Sequence, residues 1–314
     1  MSEISVLVPS YNHAPFIERT LRSIFAQTHP VKKLIVIDDG SNDESPQITE
    51  RILLECPFDS EFVQRENRGL CATLNEGFSR STGEYFAYLG SDDIWLPSFL
   101  AEQIGLLESR PAALLAFAHA YLIDENDNII DRTDHWTDFA DRDLLPLLLR
   151  GEIFSSPGVV YRSSALKKHG WNERVLLEDY ELYLKLCAEG EFARNEKLLC
   201  AWRQHGWNTS GNFPAMLKEQ LAAQNRLAEN LGIHRSELDR IQQELRFKAV
   251  SGYIRNGYKS EAWPLFWKNL KGSESLVQTL KTFARLSLPQ WLFQWNRRRK
   301  HGKAAKKNGQ LRLS

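Results

Sequence analysis

The chain has 314 residues, 42% of them apolar and 25% charged, which suits a globular protein able to bury a full core and excludes a disordered or fibrous one. Forty Lys and Arg balance forty Asp and Glu, so the molecule as a whole offers no basic excess for nucleic acid. That balance conceals an asymmetry: after Glu274 come ten Lys or Arg and no acid, leaving thirty bases against forty acids in the rest.

Cys56, Cys71, Cys187 and Cys200 show no CxxC spacing, which argues against a zinc site and, at this length, against a disulfide framework. The opening residues have neither a basic n-region nor an apolar h-region, so no signal peptide is expected. The longest nearly apolar stretch, Ala112 to Ile123, is too short to cross a bilayer. The expected location is the cytoplasm, with any contact to the inner face of the cell membrane peripheral.

In chain order, Ile4 to Val8 reads as a buried parallel strand stopped by Pro9. Asn12 is placed to cap a helix carrying Phe16, Ile17, Leu21, Ile24 and Phe25. Leu34 to Ile37 repeats the strand pattern, and Ser41 or Asn42 caps a second helix. Glu61 to Gln64 is a weaker strand, Leu70 to Ser79 a helix with Gly83 as its exit turn, and Tyr85 to Leu89 another strand. This alternation predicts a doubly wound α/β sheet with right-handed crossovers. Residues 97–212 mix helices with strands near Ala113 to Ile123 and Gly158 to Tyr161. Beyond Phe213 strand signals vanish, and four or five helices are expected. The resulting division is an α/β domain over 1–212, a helical region over 213–296 and a basic, disordered tail over 297–314.

In an open α/β sheet, ligands sit outside the carboxyl ends of the strands. Three predicted strand ends carry polar clusters: Pro9-Ser10-Tyr11-Asn12, Asp38-Asp39-Gly40-Ser41 and Ser91-Asp92-Asp93. Carboxylates from adjacent strand ends meet in one crevice, and stay ionised together only when a cation joins them. A hard divalent metal bridging a diphosphate does that. Turn chemistry alone accounts for one Asp-Asp-Gly-Ser segment; three such ends in order point to a site.

The runs VLVPSYNHAPFIERTLRSIFAQT, IVIDDGSNDES and ENRGLCATLNEGFSRSTGEYFAYLGSDDIW resemble family 2 glycosyltransferases of the GT-A fold over about the first 210 residues. The resemblance implies a Rossmann-like nucleotide-sugar-binding domain with a helical C-terminal extension. It implies Pro9, Tyr11 and Asn12 lining the nucleotide pocket, Asp39 accepting from the base and Asp38 supporting that loop. Arg68 faces the base or phosphates, or is a solvated loop arginine. The DxD-type motif falls at Ser91-Asp92-Asp93, with Asp92 on the ribose side and Asp93 on a Mn²⁺ or Mg²⁺ ion; many members carry another Asp where Gly90 stands.

Glu178-Asp179, opening a helix, matches the family's Glu-Asp pair, implying Asp179 as general base and Glu178 as its positioning neighbour. The segment Trp202 to Ser210 resembles the family's Tyr-Arg-x-His-x-x-Asn-x-Ser, implying His205 as a metal or phosphate ligand. The other histidines, His13 among them, have no such context. The Gln-x-x-Arg-Trp motif of processive members is absent, so one sugar per transfer is expected. The implied partners are a nucleotide-sugar donor and a glycan or lipid-linked acceptor. A non-catalytic sugar-nucleotide binder on the same fold is the alternative, and the presence of Asp93 and Asp179 argues against it. Leu286 to Trp295 beside the arginine run is either a peripheral anchor on an anionic membrane or packs on the body beneath a solvated tail.

Overall fold

The computed structural model describes residues 2–137, 139, 143–208 and 211–312. Its strands are β1 (Ile4–Ser10), β2 (Lys33–Asp38), β3 (Asp59–Gln64), β4 (Tyr85–Tyr88), β5 (Ile94–Trp95), β6 (Ala113–Ile123), β7 (Ile129–Arg132), β8 (Val159–Arg162) and β9 (Glu191–Arg203). They form one sheet in the order β3-β2-β1-β4-β8-β6-β9-β5, with β7 paired to β6. The first four strands of that order run parallel, and β8 turns the sheet antiparallel.

The parallel half follows from apolar runs that bury on both faces. Ile4, Val6, Leu7 and Val8 of β1 and Leu34 to Ile37 of β2 have no exposed surface. Burying each such side chain is worth about 1.5–3 kcal/mol. The helices α1 (Ile17–Phe25) and α2 (Ser45–Leu53) lie on one face and α3 (Leu70–Ser79) on the other. After α4 (Phe99–Ser109), the helices α5 (Leu144–Leu149), α6 (Ser163–His169) and α7 (Glu178–Cys187) complete the α/β part.

Three local expectations are corrected. Pro9 does not stop β1; it pairs in register with Ile37, beyond the last residue that β4 pairs, so its missing N–H breaks no ladder there. Asn12 does not cap α1, which starts at Ile17 after a turn closed on the His13 carbonyl; Asn12 instead adopts φ +54°. Ser41 and Asn42 do not cap α2, which starts at Ser45 with Asp43 Oδ1 accepting from the Ser45 N–H at 3.0 Å.

The C-terminal region comprises α8 (Phe213–Leu227), α9 (Arg235–Arg255), α10 (Lys259–Lys268), α11 (Leu276–Ser287) and α12 (Gln290–Asn308). Asn212 Oδ1 accepts from the Ala215 N–H at 3.3 Å, capping α8. This region is not a detached unit. Ala223, Leu227 and Ile241 join the core of the α/β part, and Gln224 Nε2 donates to Tyr180 Oη at 2.8 Å. The expected disordered tail is also corrected: α12 is helical to Asn308, and Leu311 is only 5% exposed, packed against the sheet. The buried Leu311 side chain and the backbone bonds of Gly309 and Leu311 to Ile129 and Asp127 hold the end of this segment on the body.

Candidate active site

The carboxyl ends of β1 and β2 are zipped together by their own polar residues. The Asp39 N–H donates to the Ser10 carbonyl at 2.8 Å, and Ser10 Oγ to Asp38 Oδ2 at 3.2 Å. Asp38 also accepts from the Ser41 N–H and Oγ at 2.8 and 2.7 Å, which makes it the support of this loop. Asn12 Oδ1 accepts from the Asn42 N–H at 2.8 Å. Gly40 takes φ +80°, and a Cβ there would lie 2.9 Å from Asn67 N. Only glycine lets the 65–69 segment close on this turn.

Asp39 is 5% exposed and already occupied. It accepts from the Arg68 and Gly69 N–H groups at 2.9 and 2.8 Å and from the Arg65 guanidinium. Arg68 contributes its backbone here, while its side chain is 57% exposed. The arginine that meets Asp39 is Arg65, held in turn by Glu76 at 3.0 Å and by Thr73 Oγ1 at 2.7 Å. Tyr11 stands 46% exposed at the rim. Pro9 lies within β1 and pairs with Ile37 of β2, so it adjoins the crevice through backbone position.

The third cluster follows β4. Thr20 Oγ1 of α1 lies 3.0 and 2.8 Å from the Ser91 and Asp93 carbonyls, fixing this turn against the first helix. His205 Nε2 lies 2.9 Å from Asp92 Oδ2, and His13 Nδ1 lies 3.8 Å from Asp92 Oδ1 and 2.8 Å from Ser91 Oγ. Ligand atoms of His13, Asp92 and His205 converge within 4.8 Å of one another, a grouping that can hold a metal ion. His205 Nδ1 is buried without a hydrogen-bond partner. Asp93 does not meet His205. Its Oδ1 accepts from the Arg203 N–H at 2.8 Å, and its Oδ2 faces the space over Gly90, where a Cβ would lie 3.2 Å from it and 2.9 Å from Asp92 Oδ1.

Electrostatics separate the two aspartates. Burial pushes Asp92 up, but the hydrogen bond with His205 and the nearby His13 outweigh it and hold its carboxyl below the usual range. Asp93, buried and beside Asp92, is raised well above it. Burial lowers His13, so its imidazole is neutral and a competent ligand near pH 7. Of the residues expected at this site, Thr209 and Ser210 lie outside the described residues.

Glu178 and Asp179 open α7. Asp179 is 8% exposed, its Oδ1 has no hydrogen-bond partner, and burial followed by the Glu178 charge raises it well above a normal carboxyl. Burial raises Glu178 too, against a 3.4 Å hydrogen bond from Tyr88 Oη. Tyr88 ends β4, so this contact ties the carboxylate pair to the strand that leads into Gly90-Ser91-Asp92-Asp93. Cys71 beside the pair is pushed up to about 12, chiefly by burial, and is an inert thiol.

Sequence reasoning missed His13, Arg65 and the role of Arg203. His13 follows Asn12 directly at a strand end, and that position was its only signal. Arg203 is 1% exposed and stacks over Phe16 at 4.7 Å.

A family model described as glycosyl transferase family 2 matches residues 5–170. An uncharacterised glycosyltransferase of Nostoc sp. is 30% identical over 170 residues, covering 53% of this chain and 52% of the relative. The chain therefore spans about half the length of that curated relative. A Bacillus subtilis glycosyltransferase named for teichuronic acid biosynthesis, TuaG, is 30% identical over 132 residues, covering 42% of this chain and 52% of the relative. Among solved structures, Staphylococcus aureus TarS 1-349 in complex with UDP-GlcNAc superposes with TM-score 0.62 at 16% identity, covering 97% of this chain and 89% of that one. The mannosyltransferase PcManGT of Pyrobaculum calidifontis, in complex with GDP-Man and Mn²⁺, gives 0.62 at 18% identity, covering 98% and 87%. These likenesses show the GT-A fold.

Proposed function

Since this chain belongs to glycosyl transferase family 2, we propose that it transfers one sugar from a nucleotide-diphosphate donor, UDP- or dTDP-linked, to a hydroxyl of a glycan or lipid-linked glycan, with inversion, in the synthesis of a cell-surface polysaccharide or lipopolysaccharide. One observation carries the reading. The ends of β1, β2 and β4 converge on the Asp39 loop and the His13–Asp92–His205 group, while Tyr88 links β4 to the buried pair Glu178–Asp179.

In this reading Tyr11, Asn12 and the Asp39–Arg65 loop receive the nucleotide. Asp179 takes the acceptor proton as the acceptor oxygen bonds to the anomeric carbon. The bond from that carbon to the diphosphate breaks on the opposite face, and its electron pair leaves with the diphosphate. A raised pKa makes Asp179 a stronger base once ionised, and such help is worth about 10²- to 10⁴-fold. Glu178 keeps the pair's charge close to the acceptor.

A divalent cation, when bound, neutralises the leaving diphosphate as a Lewis acid. The residues fit one: His13, Asp92 and His205 would hold it, with Asp93 Oδ2 facing the same space over Gly90. Two imidazoles among the donors favour Mn²⁺ over Mg²⁺, which prefers oxygen.

A membrane-associated acceptor is supported by α11. Leu276, Val277 and Leu280 are 74%, 59% and 59% exposed and share one helix face with Phe283, whose ring is 6.0 Å from exposed Trp267. Lys281 and Arg285 flank this face, in a region with no acid after Glu274. An apolar face with a basic border fits an anionic bilayer surface. The apolar residues of Leu286 to Trp295 divide: Trp291 and Trp295 are exposed, whereas Leu286 is fully buried. Among the described residues, no helix is long and apolar enough to cross a membrane.

The test is a panel of UDP-, dTDP- and GDP-sugars with Mn²⁺ or Mg²⁺, read by thermal shift and donor hydrolysis. One donor that stabilises the protein only with metal, and fails to do so in Asp92→Asn, is expected. Stabilisation by no donor, or transfer with retained anomeric configuration, overturns the proposal.

A further inference from the structure

The residues behind the Asp92–Asp93 turn form a chain of contacts that ends at the C-terminal segment. Arg203 sits at its centre. Its Nε donates to the Asp92 carbonyl at 2.7 Å, its Nη1 to the Asp124 carbonyl at 2.9 Å, and its backbone N–H to Asp93 Oδ1 at 2.8 Å. Its Nη2 pairs with Asp127 Oδ1 at 2.7 Å. Asp127 lies in the turn between β6 and β7 at φ +62°, a left-handed conformation that Asp adopts more readily than most residues, with its N–H donating to the Asp124 carbonyl at 3.1 Å.

Arg19 and residues 309–311 pack against this turn. Arg19 Nε pairs with Asp127 Oδ2 at 2.8 Å, and its Nη2 donates to the Leu311 carbonyl at 2.9 Å. The Leu311 N–H donates to the Asp127 carbonyl at 2.9 Å, and the Ile129 N–H to the Gly309 carbonyl at 3.0 Å. Gln310 bridges Asn128 in antiparallel fashion and donates from Nε2 to the Asn126 carbonyl at 3.1 Å. The Leu311 side chain fills a cluster with Ile94, Ile123, Ile129 and Ala201. Ile94 directly follows Asp93, and Ala201 is two residues before Arg203.

We propose that residues 309–311 are a positioning element of the donor site: by adding to the 126–129 turn they orient Asp127, which aims Arg203, which sets the Asp92–Asp93 turn. The assignment of that turn to donor and metal binding rests on the function proposed above; the mechanical link does not. Leu311 packs behind the turn and acts through this relay. The Arg203–Asp127 pair, with side chains 2% and 16% exposed, is largely withdrawn from water, so removing Asp127 leaves the Arg203 charge poorly compensated, whereas Arg19, 41% exposed, adds a weaker, solvent-screened contact. The segment therefore matters to the site in spite of lying at the end of a basic helix far along the chain.

The experiment compares the full chain with Leu311→Ala, the conservative Leu311→Met, and Asp127→Asn, which keeps the turn's shape and removes the ion pairs. Amide hydrogen exchange is followed without donor over residues 90–95 and 201–205, with residues 4–10 and 33–38 as reference. Exchange in the first two segments is expected to quicken about tenfold in Leu311→Ala and Asp127→Asn, to return in Leu311→Met, and to stay unchanged in the reference strands. Donor KM is expected to rise about tenfold, in the range seen when residues behind a metal site are altered, with kcat changed less. Unchanged exchange at 90–95 and 201–205, or quickening spread equally over the reference strands, overturns the proposal. Failure of the wild type to bind any nucleotide sugar would sink the proposed function instead, and the exchange result would still decide this one.

Discussion

Replacing Asp179 by Asn separates the catalytic from the structural role of that side chain. The carboxyl is 8% exposed, its Oδ1 lacks a partner, and burial and the Glu178 charge both raise it, with only backbone hydrogen bonds opposing them. A buried unsatisfied polar group costs about 1–3 kcal/mol, and Asn removes the charge while keeping the shape. Asp179→Asn is therefore expected to raise Tm by a few degrees while lowering kcat by about 10²- to 10⁴-fold.

The sign with pH follows from the raised carboxyl. A proton held more tightly in the folded state stabilises below the unfolded carboxyl value of about 3.9. That stability is lost as pH rises through the folded value of the Glu178–Asp179 pair. The Tm advantage of Asp179→Asn should thus grow from pH 5 to pH 8, and wild-type kcat/KM should rise over a limb lying above the ordinary carboxylate range. Differential scanning calorimetry and a pH–rate series read both. A variant that keeps more than a tenth of wild-type kcat, or melts lower than wild type at pH 8, refutes the reasoning.

Gly90→Asp would set a third carboxylate against Asp92 Oδ1 and Asp93 Oδ2, 2.9 and 3.2 Å from its Cβ. The metal-free protein should melt lower and its Tm should become more dependent on Mn²⁺, as a titration with and without chelator would report. His13→Ala should weaken activation by Mn²⁺ more than activation by Mg²⁺, measured as metal dependence of donor turnover. Leu276→Glu with Leu280→Glu, both on the exposed face of α11, should abolish sedimentation with anionic liposomes at little cost in Tm. Unchanged liposome binding would remove α11 as the docking face.

Much of the parallel half was legible because its signals are local. The runs Ile4 to Val8 and Leu34 to Ile37, each followed by polar turn residues, declare buried strands and their carboxyl ends without reference to anything distant. The strand Glu191–Arg203 was not legible. Its middle reads Asn195-Glu196-Lys197, and its pairing with β6 shifts register around Ala118 to Ala120, so no period of two survives. What makes it a strand is the long β6 edge beside it, a contact between residues some eighty positions apart.

The site divides the same way. Asp38, Asp39, Asp92, Asp93, Glu178, Asp179 and His205 could be named from sequence, because they fall at strand ends, at a helix start and in segments with a family resemblance. Which aspartate meets His205, that His13 joins them, that Arg65 and not Arg68 meets Asp39, and that Leu311 packs behind the motif were decided only by tertiary structure. Each depends on side chains from separate elements meeting within a few ångströms, and spacing along one chain holds no record of that. Sequence determined the order of the strands' chemistry; the folding of the sheet and the return of the C-terminal segment determined its partners.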